Sequence, residues 1–167
     1  MLAAYGFLVR NFRMPQNLDA IDHRLLTVLQ RDSRRTAAEL ADLLGLSPSQ
    51  CARRRQRLED DGYITGYRAI VDASRVGAGV EAFVQITMAA HNRENARDFV
   101  RLAERTQAIV SVWTLTGEAD YMLRVFCRDL GALNEVVQDI LLPHPAVARV
   151  QSQIVMARLK DNAPIAP

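Results

Sequence analysis

An arginine-rich segment between Ser47 and Leu58 carries the strongest chemical signal in the chain. It opens with signals for a helix start, because Ser47 can cap a helix, Pro48 suits the first helical position and Gln50 completes a capping box. Guanidinium groups bind phosphates and guanine edges through paired donors. The segment therefore predicts a DNA recognition helix, although a run of charge taken alone is more often a solvated helix face. Its four arginines are Arg53, Arg54, Arg55 and Arg57.

Helix geometry separates the positions that can contact DNA from those that pack inward. Cys51, Arg55 and Leu58 share one stripe, so Arg55 occupies a position where an apolar residue is expected. Its stem can pack while its charged head reaches solvent, and we do not expect it to read a base. Ser49 and Gln50 are predicted to lie nearest to the base edges. The predicted DNA-binding residues are Thr36, Ser47, Ser49, Gln50, Arg53, Arg54 and Arg57.

Helix signals upstream place the arginine segment in a helix-turn-helix. Thr36 and Glu39 form a second capping box, and Gly45 stands where a left-handed residue is expected at a helix C-terminus. Asp19 can cap a third helix, and an alternating stretch over Gly62–Val71 predicts a small β-wing. Within this frame the arginines favour double-stranded DNA as a partner over a solvated face. The predicted core positions are Ile21, Leu25, Val28, Leu29, Leu40, Leu43 and Leu44.

The second half of the chain reads as β-α-β-β-α-β, which is the ferredoxin-like arrangement. Asn92 and Asp129 are the predicted caps of its two helices. The predicted strands are Val80–Met88, Ile109–Thr116, Tyr121–Cys127 and Val147–Leu159. The fold class is therefore α+β, with an N-terminal winged helix-turn-helix followed by a ferredoxin-like βαββαβ domain. The predicted divisions are an N-terminal extension over 1–17, the DNA-binding domain over 18–71, a linker over 72–79, the second domain over 80–160 and a tail over 161–167.

Composition agrees with a DNA-binding half joined to a half with another task. Residues 1–76 carry 12 basic and 9 acidic side chains, whereas residues 77–167 carry 9 basic and 10 acidic ones. Cys51 and Cys127 are far apart and form no disulfide or metal pattern, which favours a cytoplasmic protein. No apolar run approaches the ~18 residues that a membrane span needs. Met14 directly precedes the first predicted helix and is expected as a second candidate start beside Met1.

The chain from about Leu18 to Lys160 resembles the Lrp/AsnC (feast/famine) family of transcription regulators. Six segments in the right order carry the resemblance, and the last looks like the Gly-x-x-Asp-Tyr signature of the family's effector domain. Ala146 departs from the family pattern, which often has glycine there, and Arg55 replaces the usual apolar residue. The six segments are Leu18–Asp22, Glu39–Ala41, Leu46–Ser47, Arg57–Glu59, Gly62–Tyr67 and Thr116–Tyr121.

This resemblance implies a homo-oligomer, a dimer that assembles further into tetramers or octamers, with an amino-acid effector bound at a subunit interface. The implied effector-binding residues are Leu115, Gly117, Ala119, Asp120 and Ser152. A zwitterion needs an acceptor for its ammonium group, which Asp120 can supply, and backbone donors for its carboxylate, which a glycine turn exposes. Without the resemblance, Gly117 reads as a hairpin glycine and Asp120 as a turn-stabilising side chain.

Two other classes of function stay open at the level of sequence. Proteins similar to Lrp/AsnC regulators act as tetrapyrrole decarboxylases, and a third possibility is an amino-acid sensor that acts through protein partners. The decarboxylase chemistry should need histidines that converge on the second domain, but His23, His91 and His144 are scattered. No catalytic nucleophile with a base, no metal site and no cofactor is predicted. A DNA-binding transcription regulator that responds to an amino acid is therefore the leading interpretation.

Overall fold

The computed structural model of the protein describes residues 18–89, 93–160 and 163–165. These residues form two compact units, one that ends at Ala69 and includes the C-terminal residues from Leu159 onward, and one that spans Ile70–Arg158. The predicted N-terminal extension, the Met14 start and the Asn92 cap lie outside the described residues. Among the helices of the described part, none combines the length and apolar character that crossing a membrane requires.

Three helices build the described part of the first unit, and the predicted caps of all three are confirmed. Helix α1 spans Ala20–Arg31, α2 spans Ala37–Leu44 and α3 spans Pro48–Asp60. Each begins with a reciprocal capping box, in which the cap side chain and the side chain three residues later accept each other's backbone N–H groups. The three boxes pair Asp19 with Asp22, Thr36 with Glu39 and Ser47 with Gln50.

A small apolar core holds these helices together. Gly45 ends α2 with a left-handed φ of 70°, which a glycine adopts without strain and which sets the tight turn into α3. In the first turn of α1, Asp22 is buried instead of the predicted Ile21, which is only partly buried. The prediction for Leu43 was also wrong, since 47% of it is exposed. The core side chains are Leu25, Leu29, Leu40, Ala41, Leu44, Cys51 and Leu58.

The segment after α3 differs from the predicted β-wing. Residues 62–71 are all described, and none of them is in a strand. The backbone N–H of Ile64 donates to the carbonyl of Leu58 at 3.0 Å, and the Tyr67 ring lies 4.7 Å from the guanidinium carbon of Arg55. A hairpin needs two arms that exchange hydrogen bonds. Here the segment instead packs along α3 through Tyr67.

The second unit has the predicted order of strands and helices. Its four strands form one antiparallel sheet in the order β2-β3-β1-β4. The second helix, α5, runs directly into a π-helical segment over Val136–Leu141. This is the ferredoxin-like arrangement that the sequence predicts. The elements are β1 at Val80–Met88, α4 at Arg93–Arg105, β2 at Ile109–Thr114, β3 at Tyr121–Cys127, α5 at Leu130–Glu135 and β4 at Val147–Ile154.

The helices of the second unit cover one face of its sheet. Alternate residues of β1 and β3, such as Val84 and Leu123, are fully buried against Phe99 of α4 and Leu141 of the π-helical segment. Strand β4 ends at Ile154 rather than at the predicted Leu159. It pairs only with β1, and Ile154 is already opposite Ala82, the third residue of β1, so little backbone remains to continue the ladder.

Candidate nucleic-acid interface and effector site

The first turn of α3 presents short polar side chains to solvent. The backbone N–H of Gln50 donates to Ser47 Oγ at 3.3 Å, and Ser47 N–H donates to Gln50 Oε1 at 3.0 Å. Ser49 lies beside them, with its Oγ 3.0 Å from Ser47 Oγ. Gln50 uses only its Oε1 in these bonds, and its Nε2 has no hydrogen bond within the described residues. This turn can therefore approach a groove closely and still offer donors to a base edge.

Thr36 occupies the equivalent cap position on α2. Its backbone N–H and hydroxyl both donate to Glu39 Oε2, at 2.8 and 2.9 Å. These hydrogen bonds, the backbone one first, hold the pKa of Glu39 below its ordinary value. The Thr36 side chain is exposed, so its geometry suits a contact to a phosphate beside the groove.

The four arginines of α3 have different surroundings. Arg53 is exposed, and no described residue pairs with it. Arg54 Nη1 donates to Asp19 Oδ2 at 2.7 Å and to Asp22 Oδ1 at 2.8 Å, while Arg57 Nη2 donates to Asp22 Oδ2 at 2.5 Å. The backbone N–H of Asp22 first, and the Arg54 guanidinium second, hold the pKa of the Asp19 carboxyl below its usual value. The predicted DNA contacts Arg54 and Arg57 are therefore hydrogen-bonded to the start of α1.

Arg55 is held on the inner side of α3. Its Nε donates to Glu59 Oε1 at 3.1 Å and lies 3.0 Å from the Tyr67 hydroxyl, which in turn donates to Glu59 at 2.7 Å. Burial alone would lower the pKa of Arg55, but the hydrogen bonds to Glu59 and Tyr67 outweigh it and raise that pKa. The expectation of a packed stem agrees with a side chain that is 27% exposed.

The turn between β2 and β3 contains most of the predicted effector residues. Leu115 and Gly117 are exposed, and Ala119 is partly buried. Gly117 has a φ of 125°, and a Cβ added there would meet nothing within 4 Å. Asp120 is anchored, because its Oδ2 accepts a hydrogen bond from the backbone N–H of Met88 at 2.7 Å. The turn thus combines an exposed tip with a carboxylate fixed at its base.

Ser152 lies apart from this turn in the single chain. It pairs with Val84 across the β1–β4 ladder, and because directly opposed residues point to the same face, it is on the helix-covered side of the sheet. Strand β1 separates it from the β2–β3 turn. The five predicted effector residues therefore do not form one pocket within the described part of one chain.

Two ion-pair clusters were missed at the level of sequence. Asp22 is the centre of one cluster. Its capping pattern did not indicate that its carboxylate also accepts hydrogen bonds from two arginines. Glu81 is the other, since it is 8% exposed and accepts from Arg124 Nε at 2.6 Å and from Arg158 Nε at 2.7 Å. Both guanidiniums also lie over the Phe126 ring, at 5.0 and 5.7 Å. Glu81 alternates with the buried Ala82, so it lies on the sheet face opposite the helices, and no local pattern indicated that two arginines would bury it there.

Comparison with known families agrees with this geometry. A family model described as "Winged helix-turn-helix DNA-binding" matches residues 18–65. A second, described as "Lrp/AsnC ligand binding domain", matches residues 81–165, which is about half of the chain. The chain belongs to the Lrp/AsnC family. Its DNA-binding match covers α1 to α3, and its ligand-binding match covers all four strands of the sheet except the first residue of β1.

Named relatives extend over nearly the whole chain. The DNA-binding transcriptional activator DecR of Escherichia coli (strain K12) is 33% identical over 143 residues, covering 86% of this chain and 94% of DecR. The leucine-responsive regulatory protein of Rhizobium meliloti is 32% identical over 144 residues, covering 86% and 92%. The crystal structure of a transcriptional regulator from Neisseria meningitidis in complex with L-Met is 34% identical, with a TM-score of 0.85 over 89% of this chain and 96% of that one. These relatives favour a transcription regulator over the decarboxylase and sensor alternatives.

Proposed function

We propose that this Lrp/AsnC chain is a sequence-specific DNA-binding transcription regulator whose DNA binding responds to an amino acid or a related small molecule. The observation that carries the proposal is the exposed first half of α3, where Ser49, the Gln50 amide and Arg53, which has no partner among the described residues, lie together in a helix-turn-helix. Small polar residues followed by a free guanidinium suit a helix that enters the major groove.

Each DNA contact is assigned from the hydrogen-bonding groups that the side chain has available and from its place on the helix. Ser49 and Gln50 are the candidates for base edges, and Arg53 is the candidate for a phosphate or a guanine. Thr36 and Ser47 stand at helix starts, where backbone N–H groups and the helix dipole favour a phosphate. Arg54 and Arg57 have side chains that are 23% and 47% exposed, and their charge is already balanced in part by Asp22, so they are weaker candidates for a phosphate than Arg53.

For the effector site we propose residues Leu115, Gly117, Ala119, Asp120 and Ser152. The complex of the Neisseria meningitidis relative with L-Met makes L-methionine the first ligand to test. Because β1 separates Ser152 from the β2–β3 turn in one chain, we place the complete site between two subunits. Asp120 would receive the ammonium group, and the backbone around Gly117 would receive the carboxylate.

A homo-oligomer is part of this proposal. The sheet face opposite the helices presents Phe83, Phe126 and Trp113, and 46% of Trp113 is exposed. Arg124 and Arg158 cover the part of this face around Phe126, and no helix or strand among the described residues packs on the rest. Apolar area of this kind usually meets another protein surface, and a second copy of the chain offers a matching one.

The direct test uses full-length protein and a duplex that it selects from a random-sequence library. Replacing Arg53 by Ala should reduce the slope of log affinity against log salt by ~0.9 if this residue contacts a phosphate. If it reads a guanine instead, discrimination at one base pair should relax by ~1–3 kcal/mol. Arg101→Ala, which removes an equal charge from the exposed surface of α4, is the matched control. Wild-type affinity, slope and discrimination in Arg53→Ala would exclude α3 as the recognition helix in this form.

The effector half of the proposal has its own experiment. Thermal denaturation of the protein is followed with each of the twenty amino acids, starting with L-methionine, because a ligand that binds the folded state raises its midpoint. A ligand found in this way should then shift the affinity for the selected duplex. If none of the twenty amino acids raises the midpoint, amino acids are excluded as effectors, but the proposal that the protein binds DNA is unaffected.

A further inference from the structure

Two carboxylates at the start of α1 neutralise two arginines of α3. Asp22 uses one oxygen for Arg54, at 2.8 Å, and the other for Arg57, at 2.5 Å. Asp19 adds a second carboxylate to Arg54 at 2.7 Å. The Asp22 side chain is 1% exposed and also belongs to the capping box of α1, so it is fixed by its own helix. Asp19 and Asp22 together are called the acidic clamp below.

A third arginine of α3 is also paired. Arg55 donates to Glu59 at 3.1 Å, in a pair that lies along α3 itself. Of the four arginines between positions 53 and 57, Arg53 is then the one that has no carboxylate partner among the described residues. The sequence shows a strongly cationic helix, but among the described residues three of these four guanidinium groups of α3 are paired with carboxylates.

We infer that the acidic clamp sets the DNA specificity of α3 by withholding Arg54 and Arg57 from phosphates. Sequence-independent binding grows with the number of phosphates that cations neutralise, whereas sequence is read by a few contacts to base edges. Withholding two arginines weakens the sequence-independent binding to phosphates. Ser49, Gln50 and Arg53 then supply the contacts that read the base sequence. The inference rests on the proposed DNA-binding function and adds Asp22 to it as a positioning residue.

The clamp is suited to this role by its placement. A carboxylate in the first turn of a helix is stabilised by the N-terminal end of the helix dipole, and here it also receives two guanidinium groups. Arg54 Nη1 and Arg57 Nη2 are already engaged, so phosphate oxygens on a duplex must compete with these carboxylates for the charge of the two guanidinium groups. The competition is least unfavourable for Arg57, whose side chain is 47% exposed.

The test replaces Asp22 by Asn, which keeps the size of the side chain and removes its charge. Affinity of full-length protein is measured by fluorescence anisotropy at several salt concentrations, for the library-selected duplex and for a scrambled duplex of the same composition. On the scrambled duplex, Asp22→Asn should bind more tightly, with a salt slope steeper by about 0.9 for each arginine released. The ratio of selected to scrambled affinity should fall. Asp42→Asn, an equal change of charge on the exposed side of α2, should leave the slope unchanged.

Two further variants keep the test decisive. In the double variant Asp22→Asn with Arg57→Gln, the part of the added slope that comes from Arg57, about 0.9, should disappear, because that released cation is gone. Asp19→Asn should give a smaller rise in scrambled-duplex affinity, and it preserves folding because Asn caps a helix as well as Asp does. If Asp22→Asn does not fold, as judged by circular dichroism, the Asp19→Asn result decides.

Two results would overturn the inference. One is an unchanged salt slope on the scrambled duplex in both clamp variants. The other is a loss of affinity for both duplexes at constant slope, which would mean that the clamp presents the arginines to DNA. A wild-type protein that selects no duplex from the library would refute sequence-specific binding, but the salt slope on any random duplex would still test whether the clamp withholds the two arginines.

Discussion

The carboxylate of Asp120 accepts a hydrogen bond from the backbone N–H of Met88 at 2.7 Å, between residues that are 32 positions apart in sequence. The backbone N–H of Asp120 also donates to the carbonyl of Ile86 at 2.9 Å. Met88 is buried, so water cannot reach its backbone N–H. Asp120 therefore provides the acceptor for a donor at the end of β1 that would otherwise have none. A structural role for Asp120 thus exists beside the proposed effector contact, and two substitutions can separate the two.

Asp120→Asn should affect effector binding without affecting folding, whereas Asp120→Ala should affect both. The amide oxygen of Asn can still accept from Met88, but its neutral group attracts an ammonium ion less. Alanine leaves the buried donor unpaired, which should lower the free energy of unfolding by ~1–3 kcal/mol. Urea denaturation measures the first effect, and calorimetric titration with L-methionine or with the amino acid found in the screen measures the second. Undiminished ligand affinity in Asp120→Asn would return this residue to a purely structural role.

Gly117 should be sensitive to substitution for a conformational reason. Its φ of 125° is rarely adopted by residues with a side chain, although an added Cβ would meet no atom within 4 Å. We expect Gly117→Ala to lower the free energy of unfolding by about 1–2 kcal/mol. If the ligand carboxylate approaches this backbone, ligand affinity should also fall, by tenfold or more. Glu118→Ala, an exposed neighbour in the same turn, serves as the control, and equal ligand affinity in both variants would place the carboxylate elsewhere.

Features set by neighbouring residues were predictable from the sequence. The capping boxes that begin with Thr36 and Ser47 and the left-handed Gly45 each depend on a few adjacent positions, and all three are confirmed. The alternation in β1 correctly predicted its buried face, since Val84 and Ile86 are fully buried. Local spacing was sufficient here because these hydrogen bonds and faces are decided within one element.

Features set by distant partners were not predictable in this way. Asp22 and Arg57 are 35 positions apart, and no local pattern indicates that they form an ion pair. The end of β4 was placed too late because it depends on where β1 begins, which alternation within β4 cannot reveal. The wing was predicted from alternation around Tyr67, a residue that in fact packs on Arg55. Tertiary packing overrides local propensity in each of these cases.

Glu81 should stabilise the second unit in a pH-dependent manner. Burial alone would raise the pKa of Glu81, but the hydrogen bonds from Arg158 and Arg124 outweigh burial and hold this pKa below its ordinary value of 4.5. A carboxylate whose pKa is lower in the folded state contributes its stability above the unfolded-state pKa. That contribution is lost as the pH falls below about 4.5, through the folded-state pKa.

Glu81→Gln should therefore lower the free energy of unfolding by ~1–3 kcal/mol at neutral pH, since charged hydrogen bonds are lost. The difference from wild type should shrink as the pH is lowered below 4.5. Denaturation series at several pH values measure this, and Glu104→Gln on the exposed side of α4 is the matched control. A difference that stays constant from neutral to acid pH would show that the charge of Glu81 is not the cause.

The open face of the sheet should drive self-association of the full-length protein. Trp113 pairs with Met122, which alternates with the buried Tyr121 and Leu123, so Trp113 points away from the helices. Replacing Trp113 by Glu would place a charge in any interface on this face, where an unpaired charge is costly to bury. We expect the variant to dissociate into smaller species at micromolar concentration, as measured by multi-angle light scattering.

Leu130→Glu supplies the control for that experiment, because Leu130 is 58% exposed and lies on α5, in the helical layer on the other side of the sheet. It introduces the same charge and should leave the molar mass unchanged. A fragment of residues 75–167 should assemble as the full chain does, since Trp113 and its neighbours are all retained. If this fragment and the wild-type protein are both monomeric at micromolar concentration, the open face does not join subunits. The effector site would then have to be completed within one chain, which the separation of Ser152 from the β2–β3 turn by β1 argues against.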